Sequence, residues 1–154
     1  MDSSRTAVSA EVGLGLVGPE HVIVPLMASL YYRGQDPYAI RIAFHVGASA
    51  PVEWALARDL LAAALEARAG IGDVQAWPSA APDQGAAAGA GGPGAAGRRI
   101  LNIAMSSPFG HAQFEVSARA IEEFLWRTYQ IVPAGQESGF LDFDAELTEL
   151  LSQA

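Results

Sequence analysis

The sequence predicts an α+β fold of about seven mainly antiparallel strands with three helices. Three stretches carry that prediction. Residues 6–17 place Val8, Ala10, Val12, Leu14 and Leu16 on one parity and Ser9, Glu11, Gly13 and Gly15 on the other, the pattern of a strand with one buried face. Residues 99–116 repeat the alternation on both sides of Ser107-Pro108-Phe109-Gly110 and read as a β-hairpin. From residue 118 the period changes to that of a helix, with Ile121, Phe124, Leu125 and Tyr129 as its apolar stripe.

Taken in order, the first strand ends at the turn Gly18-Pro19-Glu20. Residues 21–32 are apolar on both parities, and Pro25 there removes a ladder donor, so a bulge or an edge position is expected. The loop 33–37 closes on Asp36-Pro37, a turn-initiating pair. Ile40, Ile42, Phe44 and Val46 then alternate with Arg41, Ala43 and His45 as a third strand, and after the break from Gly47 to Pro51 a short strand covers residues 52–56. Three successive strands joined by short turns suggest a meander. A helix is predicted over 58–69, with Gly70 in the left-handed position after its end. Residues 73–77 form a short strand ended by Pro78-Ser79. Residues 80–97 contain no large side chain, cannot offset the entropy of ordering, and read as a flexible Ala/Gly-rich loop. Ser117 is the expected N-cap of the 118–131 helix, where Glu123 and Arg127 make an i, i+4 pair, and Pro133-Ala134-Gly135 stops it. A last helix capped by Asp142 or Asp144 carries Phe143, Leu147, Leu150 and Leu151 on one face.

Composition bounds the function. A chain of 154 residues, 51% hydrophobic with a mean hydropathy of +0.20, fits one domain spanning 1–154 with a real core. No apolar run approaches the roughly 18 residues of a membrane span, so no direct membrane insertion is expected. Neither a basic nor an apolar leader region opens the sequence, and with no cysteine the expected compartment is the cytoplasm. The net charge of −8 disfavours a nucleic-acid backbone binder. All nine cations are arginine, which reads as a coding bias rather than a site.

The constellations that could carry chemistry are weak. Gly13-Leu14-Gly15-Leu16-Val17-Gly18 matches a dinucleotide fingerprint, but strand-like residues follow where a helix should bind the pyrophosphate. The preferred reading is glycines relaxing a strand that coils. His21, His45 and His111 lack partners at metal-ligand spacing, so no metal or cofactor is expected. Glu53 and Asp59 flank Trp54 without a fixed separation, and Asp59 is equally explained by the helix dipole. Trp54 and Trp77 read as strand-end packing residues. Trp126 falls off the buried stripe beside Arg119, Glu122 and Glu123; it either covers a second edge of the core or serves as a partner surface with Arg119 and Glu122.

An ordered set of motifs resembles the SsgA-like proteins, the sporulation and cell-division regulators of filamentous actinobacteria. The set comprises Asp36-Pro37-Tyr38-Ala39, Phe44-His45-Val46-Gly47, Val52-Glu53-Trp54, Ala57-Arg58-Asp59-Leu60-Leu61, Gly72-Asp73-Val74, Trp77-Pro78-Ser79 and Ser106-Ser107-Pro108. It runs from about Val8 to Leu151, and the 80–97 loop departs from it. The resemblance implies a barrel-like sheet with packed helices, similar to the Whirly fold and assembled as a homotrimer. It further implies a non-catalytic adaptor in septum placement, cytoplasmic and located at division septa. Expected partners are FtsZ, other SsgA-like proteins or other division and cell-wall proteins. The alternative, which the Whirly likeness allows, is binding of single-stranded nucleic acid, and this would need a cationic groove with stacking aromatics.

Overall fold

Two antiparallel halves frame the computed structural model, which describes residues 6–47, 50–81, 98–108 and 110–137. In the first half β1 (Ala7–Val17) pairs with β2 (Ile23–Arg33), from Ala7↔Arg33 to Val17↔Ile23. β3 (Asp36–His45) and β4 (Val52–Ala57) continue the meander, and α1 (Arg58–Ala64) follows at once. In the second half β5 (Ala69–Ile71), β6 (Val74–Ala81), β7 (Arg98–Ser107) and β8 (Gly110–Ser117) pair in sequence order, and α2 (Ala118–Ile131) closes it. A short pairing of Leu14–Leu16 with Phe114–Val116 joins the halves into one eight-stranded sheet, ordered β4-β3-β2-β1-β8-β7-β6-β5.

The sheet is a curled half-barrel. β3 and β8 are three strand steps apart, which in a flat sheet means roughly 14 Å. Phe44 of β3 and Phe114 of β8 instead stack with ring centroids 4.3 Å apart. The even-numbered residues of β1, β2 and β3 (Val12, Leu14, Ala28, Leu30, Ile40, Ile42) therefore converge with Leu101, Ile103 and Met105 of β7 in one core. Ile121, Phe124 and Leu125 bury the inner stripe of α2 against it, and Leu61 and Ala64 do the same for α1.

Several expectations are corrected. Eight strands and two helices are described, against about seven and three; the helix expected after Asp142 lies outside the described residues. The extra strand is β5, hidden because Gly70 reads as a helix terminator. Gly70 has φ +111, and a Cβ there would sit 2.3 Å from the Val74 carbonyl oxygen, so the tight β5–β6 hairpin requires glycine. α1 consequently stops at Ala64, and Arg68 lies outside it. Asp36-Pro37 begins β3 and does not turn the chain; the bend is at Gly34-Gln35, where Gly34 N donates to Thr6 O at 2.8 Å. β6 runs through Pro78 to Ala81, so the first two residues of the expected loop are strand and residues 82–97 lie outside the described residues.

Pro25 and Pro78 sit within strands where a ladder donor is not needed. The β2–β3 register begins at Met27, leaving Pro25 beyond it, and the β5–β6 register ends at Ala76, leaving Pro78 beyond it. His21 is not in a strand. Glu20 and His21, with φ of 59° and 61°, form the left-handed central pair of a β-turn within the five-residue β1–β2 connection, closed by Val22 N donating to Pro19 O at 3.2 Å. Non-glycine residues in that region cost about 1–2 kcal/mol each.

Candidate interaction site

α2 carries the residues most exposed to a partner. Its N-terminus is capped by Ser117, whose Oγ accepts from Ala120 N at 3.2 Å. The inward stripe leaves Arg119, Glu123, Trp126, Arg127 and Gln130 exposed on the other side. Trp126 has 64% of its surface exposed, so it does not cover a core edge. Arg119 Nε donates to Glu123 Oε1 at 3.2 Å, one turn before Trp126. Glu122 pairs across to Arg99 of β7.

Below this face lies an open groove of about 1110 Å³. β1 and β8 pair over only three residues, Leu14 to Leu16, so the sheet splays beyond them. Gly13 and Gly15 add no side chain to the groove lining, and Gly15 packs so closely on Ile23 that a Cβ would fall 2.4 Å from its Cγ2. Ile23, Pro25 and Met27 form an apolar wall; Arg98, Arg99, Arg119 and Glu122 form a charged one. The fingerprint glycines thus lie in a strand and the turn to the next strand, without the helix a pyrophosphate needs. Arg119 and Glu122 meet at this groove, while Trp126 stands one helical turn further along α2. Two of the three arginines here are matched by carboxylates, Arg99 by Glu122 and Arg119 by Glu123, with Glu115 also in the lining. No unneutralised cationic track runs along the groove lining, as a single-stranded nucleic acid would demand.

The remaining motif residues have structural places. Phe44 is core, and Trp54 and Leu60 pack on it half-buried. Gly47 turns the chain at φ +65. Asp36 pairs loosely with Arg41 at 3.6 Å, and Tyr38, Glu53 and Asp59 are exposed. Trp77 is mid-strand, not at a strand end; the Arg68 guanidinium lies 4.4 Å from its ring and its carbonyl accepts from Asn102 Nδ2 at 3.1 Å. Pro78 pairs with Leu101. His45 Nε2 meets Ser29 Oγ at 2.8 Å across the β2–β3 ladder.

Arg58 has the least expected surroundings. It is the first residue of α1 and is fully buried. Its guanidinium lies 5.0 Å from the Tyr32 ring centre and 4.8 Å from that of Tyr129. Nη1 donates to Val132 O at 2.7 Å and Thr128 Oγ1 at 3.4 Å, and Nη2 donates to Glu137 Oε2 at 2.8 Å. The Arg58 hydrogen bond holds the Glu137 carboxyl below its ordinary range, helped by the amides of Glu137 and Gly135. Burial pushes the Tyr32 hydroxyl up to about 12 despite the cation, and Tyr32 donates to Pro37 O at 2.9 Å. Arg58 Nε is the buried side-chain polar atom without a hydrogen-bond partner among the described residues.

Sequence reasoning located the α2 face but missed the wall of Ile23, Pro25 and Met27. The available signal was that residues 21–32 are apolar on both parities although no second layer was in prospect for both faces. It also missed the cage, whose members are up to 79 positions apart from Arg58.

Residues 26–137 match the family model described as Streptomyces sporulation and cell division protein, SsgA. The chain is 48% identical over 152 residues to the sporulation-specific cell division protein SsgB of Thermobifida fusca, covering 99% of this chain and 100% of that one. It is 42% identical over 150 residues to SsgB of Streptomyces coelicolor, covering 97% and 99%. The crystal structure of the SsgA-like sporulation-specific cell division protein from Thermobifida fusca superposes with a TM-score of 0.77 at 48% identity, over 97% of this chain and 98% of that one. A structure from work linking SsgB mutations to longitudinal cell division in Streptomyces coelicolor superposes with a TM-score of 0.76 at 42% identity, over 88% and 96%. SsgA-like sporulation and cell-division proteins are non-catalytic. With the family model matched over residues 26–137, near-full-length relatives at 42–48% identity and the superposed structures in agreement, the chain belongs to the SsgA-like family as a homologue of the sporulation-specific cell-division protein SsgB.

Proposed function

We propose that this protein is an adaptor for septum placement, working at division septa in the cytoplasm as a homo-oligomer, in the family manner a trimer. Its partner-facing surface is the outer side of α2 with the groove beside it, and the partner is FtsZ or another division or cell-wall protein. The observation that carries the reading is Trp126, 64% exposed on a helix whose opposite face is fully used by the core. Exposed tryptophans with neighbouring arginines are the residue types that dominate binding energy at protein interfaces. An oligomer would present several copies of this face, so weak single contacts add as avidity for a polymeric partner.

Co-sedimentation with FtsZ polymers tests it. The wild type is expected in the pellet, and Trp126→Ala is expected to weaken binding by about 2 kcal/mol, roughly 30-fold. Equal binding of both proteins would move the contact off α2. A wild type that stays in the supernatant would remove FtsZ as the direct partner, and a monomer by light scattering would remove the oligomer. Single-stranded nucleic acid is not advanced as a second reading, because Arg99 and Arg119 at the groove are neutralised locally and Arg98 alone makes no cationic track.

A further inference from the structure

The Arg58 cage holds a largely exposed segment. After Val132, which is fully buried, Pro133, Ala134, Gly135 and Gln136 are all exposed, and the next buried residue is Glu137. The backbone hydrogen bond recorded within this segment, Gln136 N to Pro133 O at 3.0 Å, is internal to it. So are the amide contacts of Gly135 and Glu137 to the Glu137 carboxylate. Among the described residues, the side-chain hydrogen bonds that tie residues 133–137 to the body come from Arg58, through a 2.8 Å ion pair to Glu137 and a long 3.5 Å bond to Pro133 O. The same guanidinium holds Thr128 and Val132 at the end of α2.

We infer that residues 133–137 form a strap latched by Arg58, able to open as a unit when the Glu137 carboxylate leaves the cage. Closed, the latch fixes Glu137 at a point beside Arg58 and the end of α2. Open, it frees that point while the sheet and the inner face of α2 keep their packing. The cage suits a two-state element. An arginine stacked between two tyrosines and bonded to α2 keeps four donors occupied or hydrated in either state, and its fifth, Nε, is already without a partner. Loss of Glu137 admits water to the cation, whereas loss of a core side chain would leave a void.

Native-state hydrogen exchange across a series of urea concentrations tests the latch on the full chain. In the wild type the amides of Gly135, Gln136 and Glu137 are expected to open with almost no urea dependence, while the amides of β2 and β7 open with the steep dependence of global unfolding. Glu137→Gln, which keeps size and removes charge, is expected to speed strap exchange tenfold or more. The β2 and β7 amides of that variant should stay at least a hundredfold better protected than the strap. Strap amides that follow the sheet at every urea concentration in the wild type would overturn the inference. So would a Glu137→Gln variant that fails to fold, or one whose strap exchange is unchanged.

Discussion

Two of the Arg–Glu pairs around α2 are alike in chemistry and opposite in surroundings. Arg119 and Glu123 lie on the outer face of the helix, 3.2 Å apart, with side chains 87% and 66% exposed. Arg58 and Glu137 lie under its C-terminal end, 2.8 Å apart, 0% and 6% exposed. Water screens the first pair and both long side chains lose entropy in making it, so it contributes about 0.5 kcal/mol or less. The second pair has lost its water and gains it back from two aromatic faces, a helix-end carbonyl and a carboxylate. Its net contribution to stability is small compared with what breaking it costs. The outer pair is therefore replaceable, and its neighbourhood is available to partners. The inner pair organises the molecule.

The largest effect separates the two directly. Arg58→Ala is expected to lower stability by about 3–5 kcal/mol in urea unfolding, through the vacated volume and the stranded Glu137 and Val132 groups. Arg119→Ala is expected to change it by less than about 0.5 kcal/mol. A similar cost for both would erase the distinction.

Next in size is a substitution remote from either pair. Replacing Glu20-His21 by Asn-Gly places residues that prefer the left-handed region at the hairpin tip, and is expected to raise stability by about 1–2 kcal/mol. Thermal unfolding checks it, a rise of several degrees being the expected outcome. Retention of strain there without gain would mean that Glu20 and His21 make compensating contacts at the tip.

The pH dependence follows from the directions of the Glu137 and tyrosine shifts in the cage. The folded-state pKa of Glu137 is depressed, so its contribution is present above the ordinary carboxylate range and lost as pH falls through and below it. Glu137→Gln should therefore flatten the acid limb of the stability curve below about pH 4.5. The Tyr32 pKa is raised to about 12, so the folded state favours the neutral phenol and stability falls as pH rises from 10 towards 12. Burial also raises Tyr129, so ultraviolet titration should find two tyrosines ionising late in the wild type, and Tyr32→Phe should remove the step at about 12.

The smallest expected effect on stability is that of Trp126→Ala, within about 0.5 kcal/mol, because the ring covers no core surface. A larger loss would show that Trp126 packs as part of the body, and would weaken the contrast between the two faces of α2.

What the amino-acid sequence by itself determined is everything that a short period encodes. The strand over residues 8–16, the hairpin over 101–116, the stripe Ile121-Phe124-Leu125 and the Ser117 cap emerge where they were predicted, since each depends on neighbours within a few positions, although β7 buries Asn102 along with Leu101 and Ile103. The motif order also identified the family. Local signals failed where a distant partner overrode them: Gly70 was claimed by the β5–β6 hairpin, and Asp36-Pro37 was drawn into β3 beneath Tyr32. Only the tertiary structure decided the curl that stacks Phe44 on Phe114, the splayed groove between β1 and α2, and the role of Arg58. In sequence Arg58 is a charged residue opening a helix, like many others. Its burial becomes tolerable when acceptors 70 to 79 positions away close around it, a condition that no local pattern can express.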